Sequence, residues 1–213
     1  MKAIEILFWI CFVLVFYAYI GYGILLFLLV RIKEAFGGRC TPALPDKLPE
    51  VTLLIAAYNE ESVVREKMEN TLALDYPEEK LNILWVTDGS NDRMNELLAH
   101  WPRAEVVYEA LRRGKTAALN RGFGFVRTPL VIFTDANTML NREAVREIVR
   151  CFADPKVGCV AGEKRVSAEG TVGAASGEGL YWKYESRLKA WDSRLCTAVG
   201  AAGELFAVRR ELF

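Results

Sequence analysis

The sequence predicts an α/β fold: a mostly parallel β-sheet flanked by helices, preceded by one N-terminal transmembrane helix. Three observations predict it. From Val51 onward, short apolar runs alternate with longer stretches of helical periodicity, the pattern of successive βα units. Three of those runs end in an acidic or amide-rich turn: Val51–Ala57 runs into Tyr58-Asn59-Glu60, Ile83–Val86 into Thr87-Asp88-Gly89-Ser90, and Leu130–Phe133 into Thr134-Asp135-Ala136-Asn137. In open α/β sheets ligands bind outside the carboxyl ends of the strands, so three such ends point to one polar site. Ahead of all this, Ile6 to Val30 carries no formal charge. As a helix it would be about 37 Å long, enough to cross a hydrocarbon core of roughly 30 Å with some tilt.

The N-terminal run is longer than the apolar region of a signal peptide, and it leads into Arg31, Lys33 and Arg39 rather than a small-residue cleavage site. Lys2 is offset by Glu5 at the front, whereas Arg31, Lys33, Arg39 and Lys47 follow the run, so the positive-inside rule places the domain in the cytoplasm. Cys11, Cys40, Cys151, Cys159 and Cys196 are odd in number and lack Cys-x-x-Cys spacing, as expected of a reduced compartment without structural disulfide or zinc. Gly37, Gly38, Pro42, Pro45 and Pro49 mark a linker. The organisation read from this is an anchor over 1–33, a linker over 34–50 and an α/β domain over 51–213.

Within that domain the first strand is Val51–Ala57, with a helix over Glu61–Leu74. The second is Ile83–Thr87, with a helix from Asp92 to about His100. The third is Glu105–Tyr108, with a helix near Thr116–Val126. The fourth is Leu130–Thr134, with a helix near Arg142–Phe152, and a fifth covers about Val157–Gly162. Tyr181, Trp182, Tyr184, Leu188, Trp191 and Leu195 then recur at helical spacing, either as core packing or as a helix at a membrane interface. Gly200 to Arg210 is glycine- and alanine-rich at its start, which permits close backbone approach, and leads into a short strand with a new helix at Arg210.

Composition narrows the function. The 27 basic residues balance 27 acidic ones, so no global field favours nucleic acid. A dinucleotide fold needs G-x-G-x-x-G after its first strand, and that turn reads Ala56-Ala57-Tyr58-Asn59-Glu60-Glu61. Gly114-Lys115-Thr116 resembles the end of a P-loop, but Glu109 stands where the first glycine is required. What remains is acids and a lysine. Asp135 and Asn137, two residues apart in a turn, can present two oxygens to one hard cation. Asp88 ends a strand, with Ser90 or Asn91 available to cap the next helix. Lys115 can meet a phosphate as a point charge. His100 sits on a polar helix and takes no chemical role.

These residues, in this order, resemble the family 2 glycosyltransferases of GT-A fold, in particular membrane-bound bacterial ones related to polysaccharide synthases. Ala57-Tyr58-Asn59-Glu60 is similar to the opening nucleotide loop. Val86 to Asp92 is similar to the second, whose first Asp contacts the nucleotide base. Arg113-Gly114-Lys115-Thr116-Ala117-Ala118-Leu119-Asn120 resembles the segment near ribose and phosphates. Asp135-Ala136-Asn137 stands in the place of the Asp-x-Asp metal motif, and Gly200 to Arg210 resembles the segment lining the acceptor side.

The resemblance implies a membrane-anchored inverting transferase at the bacterial inner membrane, using a nucleotide-sugar donor, expected to be UDP-linked, and a lipid-linked or polysaccharide acceptor. It implies donor binding by Ala57, Tyr58, Glu60, Asp88, Lys115 and Asp135. Asp135 and Asn137 would hold Mg²⁺ or Mn²⁺, and Gly200, Gly203 and Glu204 would lie on the acceptor side. Asn137 in place of the second Asp removes a charge and implies looser metal affinity. The family's general base lies beyond the glycine-rich segment and is expected past Phe213, so the chain as it stands is expected to bind donor with weak or absent turnover. A nucleotidyltransferase on a similar scaffold is the other enzymatic reading, although it calls for a glycine-rich basic loop after the first strand, where Tyr58-Asn59-Glu60-Glu61 stands.

Overall fold

The computed structural model describes residues 2–37, 42–163, 175–196, 200 and 203–213. The chain divides into two compact units, residues 1–41 with 165–200 and residues 42–164 with 201–213.

In the first unit, helix α1 (Lys2–Phe16) continues through a wide turn at Tyr17–Gly21 into α2 (Tyr22–Gly37). Together they form one helix long and apolar enough to cross a membrane. Every described side chain of α1 is exposed, whereas α2 buries Gly23, Leu26 and Val30 at three- and four-residue spacing. That stripe meets helix α7 (Ala175–Leu195). Gly23 is needed there, because a Cβ would stand 2.8 Å from the Tyr184 hydroxyl. Phe27 packs on Trp191 with ring centroids 5.6 Å apart, and the Tyr22 hydroxyl donates to Asp192 at 2.7 Å. Lys33 donates to the carbonyls of Arg194 and Leu195, placing a cation on the carbonyl end of α7. Part of the aromatic stripe seen in the sequence therefore packs inside this unit, while Tyr181 stays exposed.

The second unit is a six-stranded sheet built from β1 (Val51–Ala57), β2 (Leu81–Asp88), β3 (Ala104–Glu109), β4 (Leu130–Asp135), β5 (Cys159–Ala161) and β6 (Leu205–Arg209). Its order is β3-β2-β1-β4-β6-β5. The first four strands are parallel, β6 runs antiparallel to β4, and β5 runs antiparallel to β6. The mostly parallel sheet of the sequence reading is present, with β6 inserted between β4 and β5.

Strand alternation sorts the core into two layers. Leu53, Ile55, Ile83, Trp85 and Ile132 pack toward α3 (Glu61–Leu72), α4 (Met94–Leu98) and α6 (Ala144–Cys151). Leu54, Leu84, Val86, Val131 and Phe133 face the other way, under α5 (Lys115–Phe123). Each such fully buried side chain contributes about 1.5–3 kcal/mol, so the central strands fix the sheet. Gly122 lets α5 lie close, since a Cβ there would stand 2.5 Å from Val86 Cγ2 and 3.0 Å from Leu54 Cδ1.

Two local expectations are corrected. The helix expected over Asp92 to His100 is only Met94–Leu98; Trp101 precedes Pro102, a position that disfavours helical backbone. Neither Ser90 nor Asn91 caps it. The N-cap is Arg93, without a side-chain bond, and Asp92 before it accepts from Met94 N at 3.3 Å and from Glu61 N, at the start of α3, at 2.9 Å.

Candidate active site

The parallel register brings the acidic strand ends to one edge. Ala56 pairs with Val86 on one side and with Asp135 on the other. β2, β1 and β4 thus finish side by side; Asp88 lies two strands across from Asp135 and two residues further along, about 12 Å away at the usual interstrand spacing and rise. Residue parity also matters. Val86 and Phe133 face α5, and so do Asp88 and Asp135, each two residues further on.

Asp88 is almost fully buried, at 4% exposure. Its Oδ2 accepts from the backbone N–H of Arg113 at 2.8 Å and of Gly114 at 2.7 Å, and its Oδ1 accepts from the Arg121 guanidinium at 3.0 Å. Burial alone would push this carboxyl up; the Arg121 bond and the two N–H groups outweigh it and hold it below the ordinary carboxylate range. Two glycines make the loop geometry possible. Gly89, at φ 72°, lies against the Arg112 backbone, where a Cβ would stand 2.7 Å from Arg112 N, and Gly114 has φ 91°.

Asp135 is held differently. Its Oδ1 lies 2.5 Å from Lys115 Nζ, at the first turn of α5. Lys115 also donates to Gly203 O at 3.3 Å, and Asp135 N donates to Glu204 O at 3.3 Å. Thr138 N returns to Asp135 O at 3.2 Å, closing the turn that leaves Asn137 exposed. Beneath this turn lies Lys67 of α3, with 0% exposure. Its Nζ donates to Thr134 Oγ1 at 3.2 Å and to Thr138 O. Burial pulls this ammonium down to about 8, while the charge of Asp135 acts the other way.

The first and second loops are locked together. Asn59 adopts φ 53°, a conformation that asparagine tolerates. Its N–H donates to Ser90 Oγ at 3.2 Å and its Oδ1 accepts from Asn91 N at 2.9 Å. Glu60 opens α3, its carbonyl accepting from Val63 N at 3.1 Å. The Arg112 guanidinium stacks 3.8 Å over the Tyr58 ring, an arrangement that holds a flat, half-exposed aromatic surface beside the strand ends.

Ala57, Tyr58, Glu60, Asp88, Lys115, Asp135, Asn137, Gly203 and Glu204 thus all belong to the α/β unit; Gly200, at φ 83°, belongs to the other. Reading the sequence did not single out Arg121 or Lys67. Lys67 left a signal, since it shares the buried face of α3 with Val64, Met68 and Thr71 at helical spacing. Arg121 left none beyond being a cation six residues past Lys115.

Among the described residues no three His, Cys, Asp or Glu side chains gather as a metal site. Asp135 with Asn137 nevertheless fits a hard divalent ion such as Mg²⁺, which is commonly held by one or two carboxylates plus substrate phosphates.

Known proteins resemble this chain in sequence and in fold. The chain is 33% identical over 131 residues to the poly-beta-1,6-N-acetyl-D-glucosamine synthase of Staphylococcus aureus (strain COL), covering 60% of this chain and 31% of that protein. It is 29% identical over 163 residues to the beta-monoglucosyldiacylglycerol synthase of Synechocystis, covering 74% and 33%. The chain therefore spans about a third of the length of the curated relatives it matches. Among solved structures, the mannosyltransferase PcManGT from Pyrobaculum calidifontis, in complex with GDP-Man and Mn²⁺, superposes with a TM-score of 0.74 at 27% identity, covering 94% of this chain and 55% of that one. S. aureus TarS 1–349 in complex with UDP-GlcNAc superposes at 0.52 with 16% identity over 59% of this chain and 37% of that one, a likeness of fold alone. The architecture is that of the GT-A glycosyltransferases. The Glycosyl transferase family 2 model matches residues 52–213, most of the chain, and the chain belongs to that family.

Proposed function

We propose that this chain is the anchored, donor-binding part of an inverting glycosyltransferase that passes a sugar from a nucleotide-sugar donor, expected to be UDP-linked, to a lipid-linked or polysaccharide acceptor. One observation carries the reading: Asp88, Lys115 and Asp135 converge on one sheet edge, on the side facing α5. The synthase names of the relatives support it, and so does the GDP-Man and Mn²⁺ complex of the mannosyltransferase. The apolar helix supports an anchor, which we place in the inner membrane with the α/β unit on the cytoplasmic side, because basic residues follow the span.

The residues divide the work. Asp88 is ionised at neutral pH and can only accept, so it suits the imide-type N–H at the edge of a uracil or guanine base. Tyr58 offers a ring face beside it. Lys115 donates to diphosphate oxygens from the positive end of α5, where backbone N–H groups also favour an anion. Asp135 and Asn137 would hold Mg²⁺ or Mn²⁺, which supplies Lewis-acid stabilisation of the diphosphate leaving group worth several kcal/mol. Gly203 and Glu204 precede β6 beside Lys115 and Asp135 and would line the acceptor side. We assign the general base to no residue of this chain.

Calorimetry of the detergent-solubilised chain with UDP and with GDP, with and without Mn²⁺ or Mg²⁺, tests the reading. Metal-dependent binding that is lost in Asp135→Ala and Asp88→Ala is the expected result. Equal affinity across metals and variants would refute it.

A further inference from the structure

An ionised carboxylate offers about four lone pairs, two on each oxygen, and on Asp88 most of them are taken. The N–H groups of Arg113 and Gly114 fill Oδ2, at 2.8 and 2.7 Å, and Arg121 Nη2 donates to Oδ1 at 3.0 Å. About one lone pair is left, on Oδ1. Arg121 reaches that oxygen from the last turn of α5, and among the described residues this is its one salt bridge. Its side chain is 20% exposed, and its buried Nε has no hydrogen-bond partner among them. A leftover buried donor is costly, and apolar side chains often serve a fold as well as a buried ion pair does. Packing alone therefore gives no reason for an arginine here.

The reason lies in what Arg121 does to Asp88. Burial pushes this carboxyl up, and the Arg121 hydrogen bond is the strongest influence against it, ahead of the two N–H groups. The other charges around it have partners of their own. Glu109 pairs with Asp88 across β2 and β3, and its Oε1 accepts from Leu111 N at 3.3 Å. Asp92 accepts from Glu61 N and Met94 N. The Arg112 guanidinium lies over Tyr58, and Lys115 pairs with Asp135. Arg121 also decides how much of Oδ1 is free. Uracil offers one edge N–H between two carbonyls, whereas guanine offers two adjacent donors, N1–H and N2–H. A single free acceptor position satisfies uracil and leaves one guanine donor without a partner, which is penalised.

We infer that Arg121 is the positioning residue of the base site: by occupying Oδ1 it leaves Asp88 able to take a single N–H, which selects uracil over guanine. The inference rests on the reading of Asp88 as the base contact, given above, and adds to it the residue that sets the choice of base. Arg121 acts through Asp88 and touches no part of the nucleotide itself.

The full chain in detergent is titrated by calorimetry with UDP and with GDP, each with Mn²⁺, from about pH 5 to pH 8, a range above the ordinary carboxylate value. The wild type should bind UDP about 10-fold more tightly than GDP, by a ratio that does not change with pH. In Arg121→Met the freed lone pair should narrow that ratio at least ~3-fold. Its UDP affinity should also fall, relative to wild type, as the pH drops through this range: burial is then opposed by the two N–H groups alone, and a protonated Asp88 no longer accepts. The titration of the diphosphate itself is common to both proteins and cancels. Arg121→Lys, which keeps the charge, should restore the wild-type pH profile. An Arg121 that only supports the fold would weaken UDP and GDP by one factor at every pH, and that result overturns the inference. Wild-type protein that binds UDP and GDP equally overturns it too, even where a variant fails to fold, and leaves the base contact standing if Asp88→Ala still loses both nucleotides. Unchanged binding of both in Asp88→Ala overturns the reading of Asp88 and the inference with it.

Discussion

Lys67→Met should make the α/β unit more stable than the wild type at pH 7 and less stable near pH 10.5. The magnitude follows from the position of Lys67. Burial draws its ammonium from the ordinary 10.5 down to about 8, with Asp135 pulling weakly the other way. At 1.36 kcal/mol per pKa unit, keeping the proton in the folded state at pH 7 costs about 3 kcal/mol relative to releasing it. Methionine fills similar space without charge, so that cost disappears. Against it stands the loss of the donor to Thr134 Oγ1 and Thr138 O. Thr134 keeps a second contact, to Asp135 O at 3.4 Å, whereas Thr138 O loses its strong partner, at a cost of about 1–3 kcal/mol. The net gain at pH 7 is about 1 kcal/mol.

The pH dependence is the sharper part. Between about 8 and 10.5 the unfolded chain still holds the lysine proton that the folded chain has released, so wild-type stability rises with pH over that window. The wild type thus regains about 3 kcal/mol that the methionine variant cannot. Urea unfolding in detergent at pH 7, 8.5 and 10, followed by tryptophan fluorescence, measures the difference; Trp85 is fully buried on the same side as α3 and donates to Met68 Sδ at 3.2 Å. Other titrating groups cancel between the two proteins. A stability difference that stays flat from pH 7 to 10 would refute the account of Lys67 as a buried, strained cation.

Asp88→Asn leaves the Arg121 guanidinium without its counter-charge and should cost about 3 kcal/mol at pH 7. Because the Asp88 carboxyl is held below its ordinary range, its contribution is intact above about pH 4 and fades as pH falls further, so urea curves of wild type and variant should converge in acid. Gly122→Ala drives a Cβ to 2.5 Å from Val86 Cγ2. Overpacking of about 1–3 kcal/mol exceeds the gain of about 1 kcal/mol in helix propensity, so the melting temperature should drop and nucleotide affinity should weaken as α5 lifts with Lys115 and Arg121. Thr128→Val supplies the contrast. It removes buried bonds to Thr52 Oγ1 at 2.7 Å and Leu130 O at 2.9 Å, costing about 1–2 kcal/mol. It lies at the opposite end of the strands, so calorimetry should find nucleotide affinity unchanged.

Where local periodicity is the whole cause of an element, the sequence shows the element. β1 lies at Val51–Ala57 as expected because it is central, apolar throughout and bounded by a turn. β4 extends one residue beyond expectation, to Asp135, because pairing with Ala56 continues past the apolar run. β6 could be expected as a strand, but nothing in Leu205–Arg209 tells that it pairs with Leu130–Thr134 rather than at the edge. Likewise Gly23, Leu26 and Val30 are invisible as a packing stripe in a helix that is apolar all round, and only α7 reveals them. Pairing across a long stretch of chain leaves no local trace.

The site divides along the same line. Asp88 and Asp135 could be picked out because strand ends follow from strand runs, but their electrostatic states could not, since these depend on helices that arrive from elsewhere in the chain. The sheet treats the two acids alike; α5 and α3 make them different. Asp88 is fixed by two backbone N–H groups and a largely buried guanidinium, partners that cannot leave without unfolding the start of α5. Asp135 is matched by a lysine whose side chain is half exposed. A carboxylate bonded to backbone N–H groups keeps its partners, whereas one paired with an exposed ammonium has a partner that solvent reaches. Two acids at neighbouring strand ends therefore sit in different electrostatic settings, and the difference lies in what faces them.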